Sequence, residues 1–321
     1  MKEFDLIGRY FANGGYQRKD VAVGIGDDCA ITRVPENQQL AVTTDTLVGG
    51  VHFLTDAPAK SVAYKAVAVN LSDLAAMGAE PAWISLSLAM PEVNEEWLED
   101  FAEGLYDLTQ FYSVQLIGGD TVKGPLSMTI TAQGFIPPGA ELRRNGAKPG
   151  DWVYVTGSLG DAGAGLDILK NALTASPEAH DYLINRHLFP TPRVAVGAAL
   201  RRIASACIDV SDGLLADLSH ILRASGCGAT LHVDRLPLSR AMLDTVSAEQ
   251  AIQYALTAGD DYELIFTVGE EQKGSLETSL SSTNVKATCI GQLTGNSEQF
   301  ELRYNDERFQ LPASLGYEHA F

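Results

Sequence analysis

The chain has 321 residues, of which 45% are hydrophobic and 20% charged, proportions that are ordinary for a globular protein of one or two domains. Its 23 basic and 41 acidic residues give a formal net charge of −18, which argues against a nucleic-acid partner or an anionic membrane surface. An anionic small ligand is still compatible with this charge, because a bound metal ion can reverse the local sign.

The four cysteines are far apart and form no CxxC pair, and the first residues, MKEFDLIGRYF, carry acids instead of an apolar signal core. We therefore expect reduced thiols and a cytoplasmic location. The most apolar region, residues 66–90, is interrupted by Asp73, Glu80 and Pro81, so it does not reach the roughly 20 apolar residues of a membrane span.

The first half of the chain alternates predicted strands and helices. β-Branched residues predict a strand over 40–48, and an alanine-rich segment predicts a helix over 59–77 that Gly78 ends. Further predicted elements are a strand over 82–90, a helix over 95–112, a short strand over 114–117 that runs into Gly118-Gly119-Asp120, and a strand over 128–136.

The turn-forming stretch NGAKPG, residues 145–150, predicts a domain boundary near 147. The elements predicted beyond it are a strand over 152–156, the glycine-rich segment 157–163, helices over 164–171, 194–206 and 212–225, strands over 262–268 and 288–292, and a hairpin turn within 303–308. We therefore expect two mixed α/β domains, residues 1–147 and 148–321.

Aspartates recur beside glycines or in apolar surroundings. They are Asp27, Asp28, Asp45, Asp73, Asp120, Asp209 and Asp212. Taken singly, an aspartate in GDD, GGD or SDG is equally explained as a turn residue or a helix cap. Asp45 is less easily explained in this way, because the centres of strands are depleted in aspartate.

Asp73 is the aspartate least consistent with a turn or a cap. It shares one face of the predicted helix with Asn70, three residues earlier, in an apolar segment. A buried carboxylate needs a partner, and Lys60 and Lys65 are the basic residues nearby. A bound cation would compensate the charge of such a carboxylate without a further basic side chain. We therefore expect the scattered aspartates to converge around such ions.

Oxygen ligands suit Mg²⁺ or Ca²⁺ better than zinc, and Mg²⁺ usually completes its shell with water and substrate phosphates. Several carboxylates therefore indicate several Mg²⁺ ions that meet a polyphosphate. The sequence contains no GxxxxGK[ST] motif, so it is not a P-loop protein. Glycines beside the acids, such as Gly119, allow a close approach of backbone to phosphate.

Two further features have open alternatives. His52 follows the TTDT strand, and a structural role and a ligand role are equally compatible with a lone histidine. Arg143 and Arg144 precede the predicted boundary and are either a solvated surface pair or a phosphate contact. No serine or cysteine hydrolase motif is present in the sequence.

Seven segments carry a resemblance across most of the chain. They are GIGDDCA, TTDTLVGGVHF, AVNLSDLAAMGAEP, QLIGGDT, RNGAKPGDWVYVTGSLG, IDVSDGL and AGDDYEL. Together they resemble the bacterial thiamine-monophosphate kinase family, within the ATP-binding superfamily of aminoimidazole ribonucleotide synthetase. Asp260 stands where relatives often have glutamate, which preserves the charge and shortens the reach.

The resemblance implies an α/β fold of two domains with mixed sheets. The N-terminal domain would bind ATP and Mg²⁺, and its sheet would form a barrel across a homodimer. The resemblance further implies that ATP and thiamine monophosphate give ADP and thiamine diphosphate, the last step of thiamine diphosphate biosynthesis.

The matching motifs also imply residue roles. Mg²⁺ ions would be held by Asp28, Thr43, Thr44, Asp45, Asp73, Asp120, Asp209 and Asp212. The nucleotide would contact Gly119, Asp120, Arg144 and Ser211, and thiamine monophosphate would contact His52, Asp260 and Tyr317. No residue is implied as an acid or base, and Asp73, Asp120 and Arg144 would be the most critical for a direct in-line transfer.

Two alternatives remain open on the residues alone. The chain could be an ATP-dependent synthetase of the same superfamily that acts on another substrate. It could also be a non-catalytic protein that binds Mg²⁺ or a nucleotide.

Overall fold

The computed structural model describes residues 3–12 and 14–317, with the side chains of the first two of these residues left aside. The chain divides into two compact units, which we call unit 1 (residues 1–74 and 79–139) and unit 2 (residues 75–78 and 140–321). Within the described residues, no helix combines the length and the apolar character needed to cross a membrane.

Unit 1 alternates strands and helices, as predicted. Its elements are α1 (Glu3–Tyr10), β1 (Val21–Val23), β2 (Ile31–Thr32), β3 (Gln39–Val48), α2 (Ala59–Ala76, whose last two residues belong to unit 2), β4 (Glu80–Met90), α3 (Glu95–Phe111), β5 (Gln115–Lys123) and β6 (Ser127–Ile136). In the described part of the unit, β1 and β2 pair with each other, and the longer strands form a sheet in the order β3-β6-β4-β5.

Strand β3 alternates between the two faces of this sheet. Leu40, Val42, Thr44 and Thr46 are exposed, whereas Thr43 and Asp45 are half-buried. The reason is the two-residue period of a β-strand, which sends successive side chains to opposite faces. The sheet therefore has one open face, and its other face carries the Thr43 and Asp45 side chains.

Helix α2 is buried almost all round, since the consecutive residues 66–69, which point in different directions around the helix, have at most 5% of their surface exposed. A helix that is apolar on every side is typical of a core position. Within it Asn70 is buried and Asp73, in the last turn, is half-buried, which confirms the prediction that this carboxylate is partly buried.

Unit 2 contains the remaining elements. They are β7 (Trp152–Thr156), α4 (Asp161–Leu169), α5 (Pro177–Leu188), α6 (Val194–Leu200), β8 (Ala206–Asp209), α7 (Leu214–Ser225), β9 (Gly228–His232), α8 (Arg240–Thr245), α9 (Ala248–Thr257), β10 (Leu264–Val268), α10 (Lys273–Leu280), β11 (Ala287–Thr294), β12 (Phe300–Tyr304) and β13 (Glu307–Phe309), with two short 3₁₀ turns at Val233–Arg235 and Glu270–Gln272. The strands form a mixed sheet in the order β13-β12-β9-β11-β7-β10-β8.

Both faces of the unit 2 sheet are covered. Val153, Val155 and Ile265 pack with the apolar faces of α7 and α9. Leu264 and Phe266, on the alternate positions of β10, pack with α6 and α10 on the other face. The continuous apolar run of β10 therefore reflects a strand that is buried on both sides. The mixed α/β architecture that the sequence predicts is confirmed in both units.

Two predicted elements differ from the observed ones. The strand predicted over 114–117 continues through Gly118 and Gly119 as β5, because pairing with β4 compensates for the low strand propensity of glycine. The helix predicted over 194–206 ends at Leu200, and Ala206 already belongs to β8. The hairpin turn is confirmed at Asn305-Asp306, where both residues have positive φ.

Candidate functional site

A pair of carboxylates lies between β3 and α2 in unit 1. The Thr43 hydroxyl donates a 2.5 Å hydrogen bond to the Asp73 carboxylate. Burial, and then the charge of Asp73, raise the pKa of Asp45 to about 6. Since each carboxylate disfavours the charge on the other, this corner of unit 1 is suited to a cation.

The donors fit a hard divalent cation. They are carboxylate and hydroxyl oxygens, the ligands that Mg²⁺ prefers, and Mg²⁺ usually takes one or two protein carboxylates. In the described part of the chain, no three His, Cys, Asp or Glu side chains form a group that could hold a metal ion. The fit therefore rests on the Asp45–Asp73 pair, and protein ligands alone would not complete the shell.

Three other predicted ligands of unit 1 lie on the open face of the sheet or at exposed positions. The Thr44 side chain points to the open face of the sheet, where its hydroxyl lies 2.7 Å from that of Thr131. Asp28 and Asp120 are exposed, in the turn after β1 and in β5 respectively. Their roles as ligands stay predictions.

Gly119 is the glycine of β5 that approaches β4 most closely. It has a φ of 153°, and a Cβ at this position would lie 1.8 Å from the carbonyl oxygen of Leu86. A Cβ on the neighbouring Gly118 would meet no atom within 4 Å. The backbone next to Asp120 therefore requires glycine at one position only.

His52 is half-buried in the turn after β3. Its Nδ1 accepts a hydrogen bond of 3.1 Å from the backbone N–H of Val48. An accepting Nδ1 carries no proton, so the neutral ring keeps its proton on Nε2. Sequence reasoning left a structural and a ligand role open, and this geometry is compatible with both.

In unit 2, the loops 208–213 and 259–263 run side by side. The Asp260 N–H donates to the Ser211 carbonyl oxygen at 2.9 Å, and the Tyr262 N–H donates to that of Val210 at 2.8 Å. Gly259 permits this approach, since a Cβ there would lie 2.3 Å from the Ser211 carbonyl oxygen. The structure thus joins two predicted site residues that are distant in sequence.

The C-terminal segment packs against the same loops. The Tyr317 N–H donates to the Asp212 carbonyl oxygen at 3.0 Å, and the Ala216 N–H donates to that of Leu315. Of the residues nominated from the sequence, Ser211, Asp212, Asp260 and Tyr317 are therefore neighbours in unit 2.

Asp217 organises this site, and sequence reasoning missed it. Its buried carboxylate accepts backbone hydrogen bonds of 3.0, 3.0 and 3.1 Å from Ser211, Asp212 and Gly213. Burial, followed by the charge of Asp212, raises its pKa to about 7, although the three backbone donors oppose this shift. The available signal was an acid in the first turn of a helix that follows SDG.

Asp209 and Arg144 flank these loops. Asp209 is buried at the end of β8, opposite Leu264 of β10. Arg144 is exposed, and its charge and that of Asp212 both act on His220 of α7. Burial and then the charge of Arg144 lower the pKa of His220, and Asp212 opposes them. Arg144 and Asp212, both of which the sequence analysis assigns to the site, therefore act electrostatically on the same histidine.

Glu263 is the centre of a buried ion cluster, which sequence reasoning also missed. Its carboxylate accepts two hydrogen bonds from Arg193, at 2.6 and 2.5 Å, one of 2.9 Å from Arg186 and one of 2.6 Å from Thr156. Burial raises the pKa of Glu263, but Arg193 and Arg186 outweigh it and hold the value below its ordinary range. The cluster anchors the end of the 259–263 loop to α5.

A cavity of about 650 Å³ in unit 2 lies over this cluster and is lined by Ser158, Tyr182, Arg186, Arg193 and Lys286, among others. None of the residues nominated from the sequence is among the described residues that line it. Its lining residues Arg186 and Arg193 nevertheless join the cavity to Glu263, at the end of the 259–263 loop.

Comparison with known proteins identifies the relatives of this chain. Residues 26–136 match the N-terminal domain of AIR synthase related protein, and residues 148–302 match its C-terminal domain. The thiamine-monophosphate kinase of Salmonella typhimurium is 55% identical over 322 residues, which cover 99% of this chain and 98% of that protein.

Two solved structures are similar along nearly the whole chain. The crystal structure of thiamine-monophosphate kinase from Stenotrophomonas maltophilia is 44% identical, with a TM-score of 0.84 over 91% of this chain and 93% of that one. The structure of AaThiL complexed with AMPPCP and TMP is 31% identical, with a TM-score of 0.76 and coverage of 92% of both chains. The chain belongs to the thiamine-monophosphate kinase family, and its fold is that of the AIR synthase related proteins.

Proposed function

We propose that this chain transfers the γ-phosphoryl group of ATP to thiamine monophosphate, which gives ADP and thiamine diphosphate and completes the biosynthesis of the latter. The observation that carries the proposal is the full-length identity of 55% to a thiamine-monophosphate kinase. The relative solved with AMPPCP and TMP supports it, because AMPPCP is an analogue of ATP and TMP is the acceptor.

The acceptor explains why no catalytic base is needed. The second pKa of a phosphate monoester is about 6, so the acceptor is already largely ionised at pH 7. The difficulty lies in the approach of two anions within a chain whose net charge is −18. The chain must therefore orient the two substrates for in-line attack and offset their mutual repulsion.

Mg²⁺ ions, when bound, would neutralise the phosphate charges and stabilise the charge on the leaving group. In unit 1, Asp45, Asp73 and Thr43 would hold Mg²⁺ with their oxygens, and we propose Asp28 and Asp120 as further ligands. The Thr44 side chain faces the other side of the sheet, so Thr44 would contribute its backbone carbonyl oxygen. In unit 2 we propose Asp209 and Asp212. The carboxylates do not contact phosphate favourably themselves, so their contribution is to hold cations.

We assign the nucleotide contacts to Gly119, Asp120, Arg144 and Ser211, and the contacts to thiamine monophosphate to His52, Asp260 and Tyr317. The backbone of Gly119 allows close approach, and Arg144 supplies a charge-assisted contact to phosphate. In this assignment residues 1–147 form the domain that carries most of the ATP and Mg²⁺ contacts. Residues 148–321 form a second α/β domain, which adds Asp209, Ser211 and Asp212. The cytoplasmic location stays a prediction.

We also propose a homodimer in which the open face of the unit 1 sheet meets its copy. Leu40 and Val42 are 44% and 59% exposed on this face. The paired hydroxyls of Thr44 with Thr131, and of Thr46 with Thr129, are exposed there as well. Strand β3 is also an edge strand of ten residues, and an edge of this length presents many backbone groups that can pair with another strand. In a barrel formed by two such sheets, this edge would be paired.

One assay tests the function and separates the alternatives. The chain is incubated with ATP, Mg²⁺ and thiamine monophosphate, and ADP and thiamine diphosphate are quantified. We expect both products in equal amounts. ATP consumption that requires a different acceptor would support another synthetase of the superfamily, and no consumption with any acceptor would support a non-catalytic binding protein.

A second assay tests direct transfer. Incubation with γ-labelled ATP and Mg²⁺, without an acceptor, should leave the protein unlabelled. Stable label on the chain would instead indicate a phosphoenzyme, as would the passage of label from ADP labelled in its adenine ring into unlabelled ATP in a parallel reaction.

A further inference from the structure

The loop that carries Asp260 holds two residues in an unusual backbone conformation. Asp260 and Tyr262 have φ values of 69° and 49°, in the left-handed region that residues with a Cβ seldom adopt. Backbone hydrogen bonds from both residues to the 208–213 loop fix this conformation. Such strain persists only where the surroundings impose it, and it is concentrated at functional sites.

The side chains of these two residues meet as a result. The Tyr262 hydroxyl donates a 3.1 Å hydrogen bond to Oδ1 of Asp260. On the other side, Nδ1 of His187 lies 3.7 Å from Oδ2 of the same carboxylate. The Asp260 side chain is 30% exposed, whereas Tyr262 is only 8% exposed, so a buried hydroxyl orients a carboxylate that solvent can reach.

The frame behind Tyr262 is rigid. Glu263, the next residue, is fully buried and is held by Arg186 and Arg193. Arg186 and His187 are neighbours on α5, so the same helix secures the loop and borders Asp260. Because Tyr262 cannot shift easily within this frame, its hydroxyl fixes one orientation of the Asp260 carboxylate.

We propose that Tyr262 is a positioning residue for the acceptor: its hydroxyl holds the Asp260 carboxylate in the orientation that receives thiamine monophosphate. The inference rests on the proposed function, in which Asp260 contacts that substrate. Thiamine monophosphate carries a cationic thiazolium ring and an aminopyrimidine, and an oriented carboxylate suits either group. Asp260 is not among the residues that we assign to the nucleotide.

The test is the variant Tyr262→Phe, which removes the hydroxyl and keeps the ring. A hydrogen bond to a charged group contributes enough for us to expect a KM for thiamine monophosphate about tenfold higher. The KM for ATP should stay within about twofold of the wild type, since the bond orients only the acceptor site. A purely structural role would instead lower thermal stability and alter both KM values.

Tyr254→Phe is the matched control. It also removes a tyrosine–aspartate hydrogen bond from unit 2, the 2.5 Å bond to Asp167, and neither of these residues belongs to the 259–263 loop. We expect its KM for thiamine monophosphate to equal that of the wild type. An equal rise in both variants would overturn the inference.

A double-mutant cycle with Asp260→Ala, which removes the oxygen that accepts the Tyr262 hydrogen bond, completes the test. If Tyr262 acts through Asp260, Tyr262→Phe should change the KM for thiamine monophosphate little in the Asp260→Ala background. A full tenfold effect in that background, or an unchanged KM in Tyr262→Phe alone, would refute the inference. Turnover of thiamine monophosphate by the wild type would still support the proposed function in that case. Absence of wild-type turnover would refute both.

Discussion

The hydroxyl of Thr43 donates a 2.5 Å hydrogen bond to Asp73 and so ties the middle of β3 to the last turn of α2. Asp45, two residues along the same face of β3, feels the charge of Asp73, and burial together with that charge raises its pKa to about 6. Two acids that oppose each other's ionisation must either share the site with a proton or bind a cation that compensates both charges. The position of Asp73 therefore makes it the sharpest test of the metal site.

Asp73→Asn should lower kcat/KM by more than about 100-fold at saturating Mg²⁺, because the amide loses the negative charge that holds the cation. The fold should remain, since asparagine keeps the acceptor oxygen for Thr43. Steady-state kinetics and thermal unfolding check the two statements. Asp100→Asn, an exposed change on α3, is the control and should be neutral. Near-normal turnover of Asp73→Asn would remove Asp73 from the site.

Neighbouring glycines in β5 give a second prediction. Gly119→Ala should destabilise unit 1 and strongly reduce activity, because its Cβ would lie 1.8 Å from the Leu86 carbonyl oxygen at a φ of 153°. Gly118→Ala should retain stability and fold, because a Cβ there meets no atom within 4 Å. The melting temperatures of the two variants and their steady-state kinetics with ATP test this difference. Equal behaviour of the two variants would contradict the close approach of β5 to β4.

Local patterns were sufficient for the elements whose sequence period is clear. The strand over 40–48 and the helix over 59–77 are confirmed, because β-branched residues and a buried alanine-rich run are strong local signals. The helix predicted over 194–206 was too long, since the run of apolar residues continues into β8 and periodicity does not separate the two. Helix α5 and strand β9 were not predicted at all.

The contacts between distant segments could not be predicted in this way. Glu263 meets Arg193 and Thr156 across long sequence separations, and no spacing rule links them. Tyr262 reaches Asp260 only because both residues adopt positive φ, which propensity does not indicate for tyrosine. The importance of Asp45 and Asp73 could be predicted from the sequence, because an acid in a strand centre and an acid in an apolar helix both contradict local preference.

The buried ion cluster gives a prediction for stability. Glu263→Gln should lower the free energy of unfolding by about 3–5 kcal/mol, because the largely buried Arg193 would lose its charged partner and Arg186 would be left with more distant acids such as Asp161, at 3.9 Å. Denaturant unfolding at pH 7 measures the change. The exposed Glu249→Gln is the control and should stay within about 0.5 kcal/mol of the wild type.

The same variant should change the dependence of stability on pH. The pKa of Glu263 is lower in the folded chain than in the unfolded chain, so its contribution is present above the ordinary glutamate pKa of about 4.3 and is lost as the pH falls through the folded value. Between pH 5 and the folded pKa, the wild type should therefore lose stability more steeply than Glu263→Gln. Parallel stability curves for the two proteins would show that the ion cluster does not hold this pKa down.

The open face of the unit 1 sheet gives the last prediction. Val42→Asp should convert a dimer to a monomer, because it places a carboxylate where two apolar sheet faces would meet, and burying an unpaired charge costs several kcal/mol. Val93→Asp is the matched control, since Val93 is 46% exposed but lies before α3 and outside the sheet. Sedimentation velocity at micromolar protein concentration should give a dimer for the wild type and for Val93→Asp. A monomeric wild type, or a Val42→Asp variant that stays dimeric, would place the interface elsewhere or exclude it.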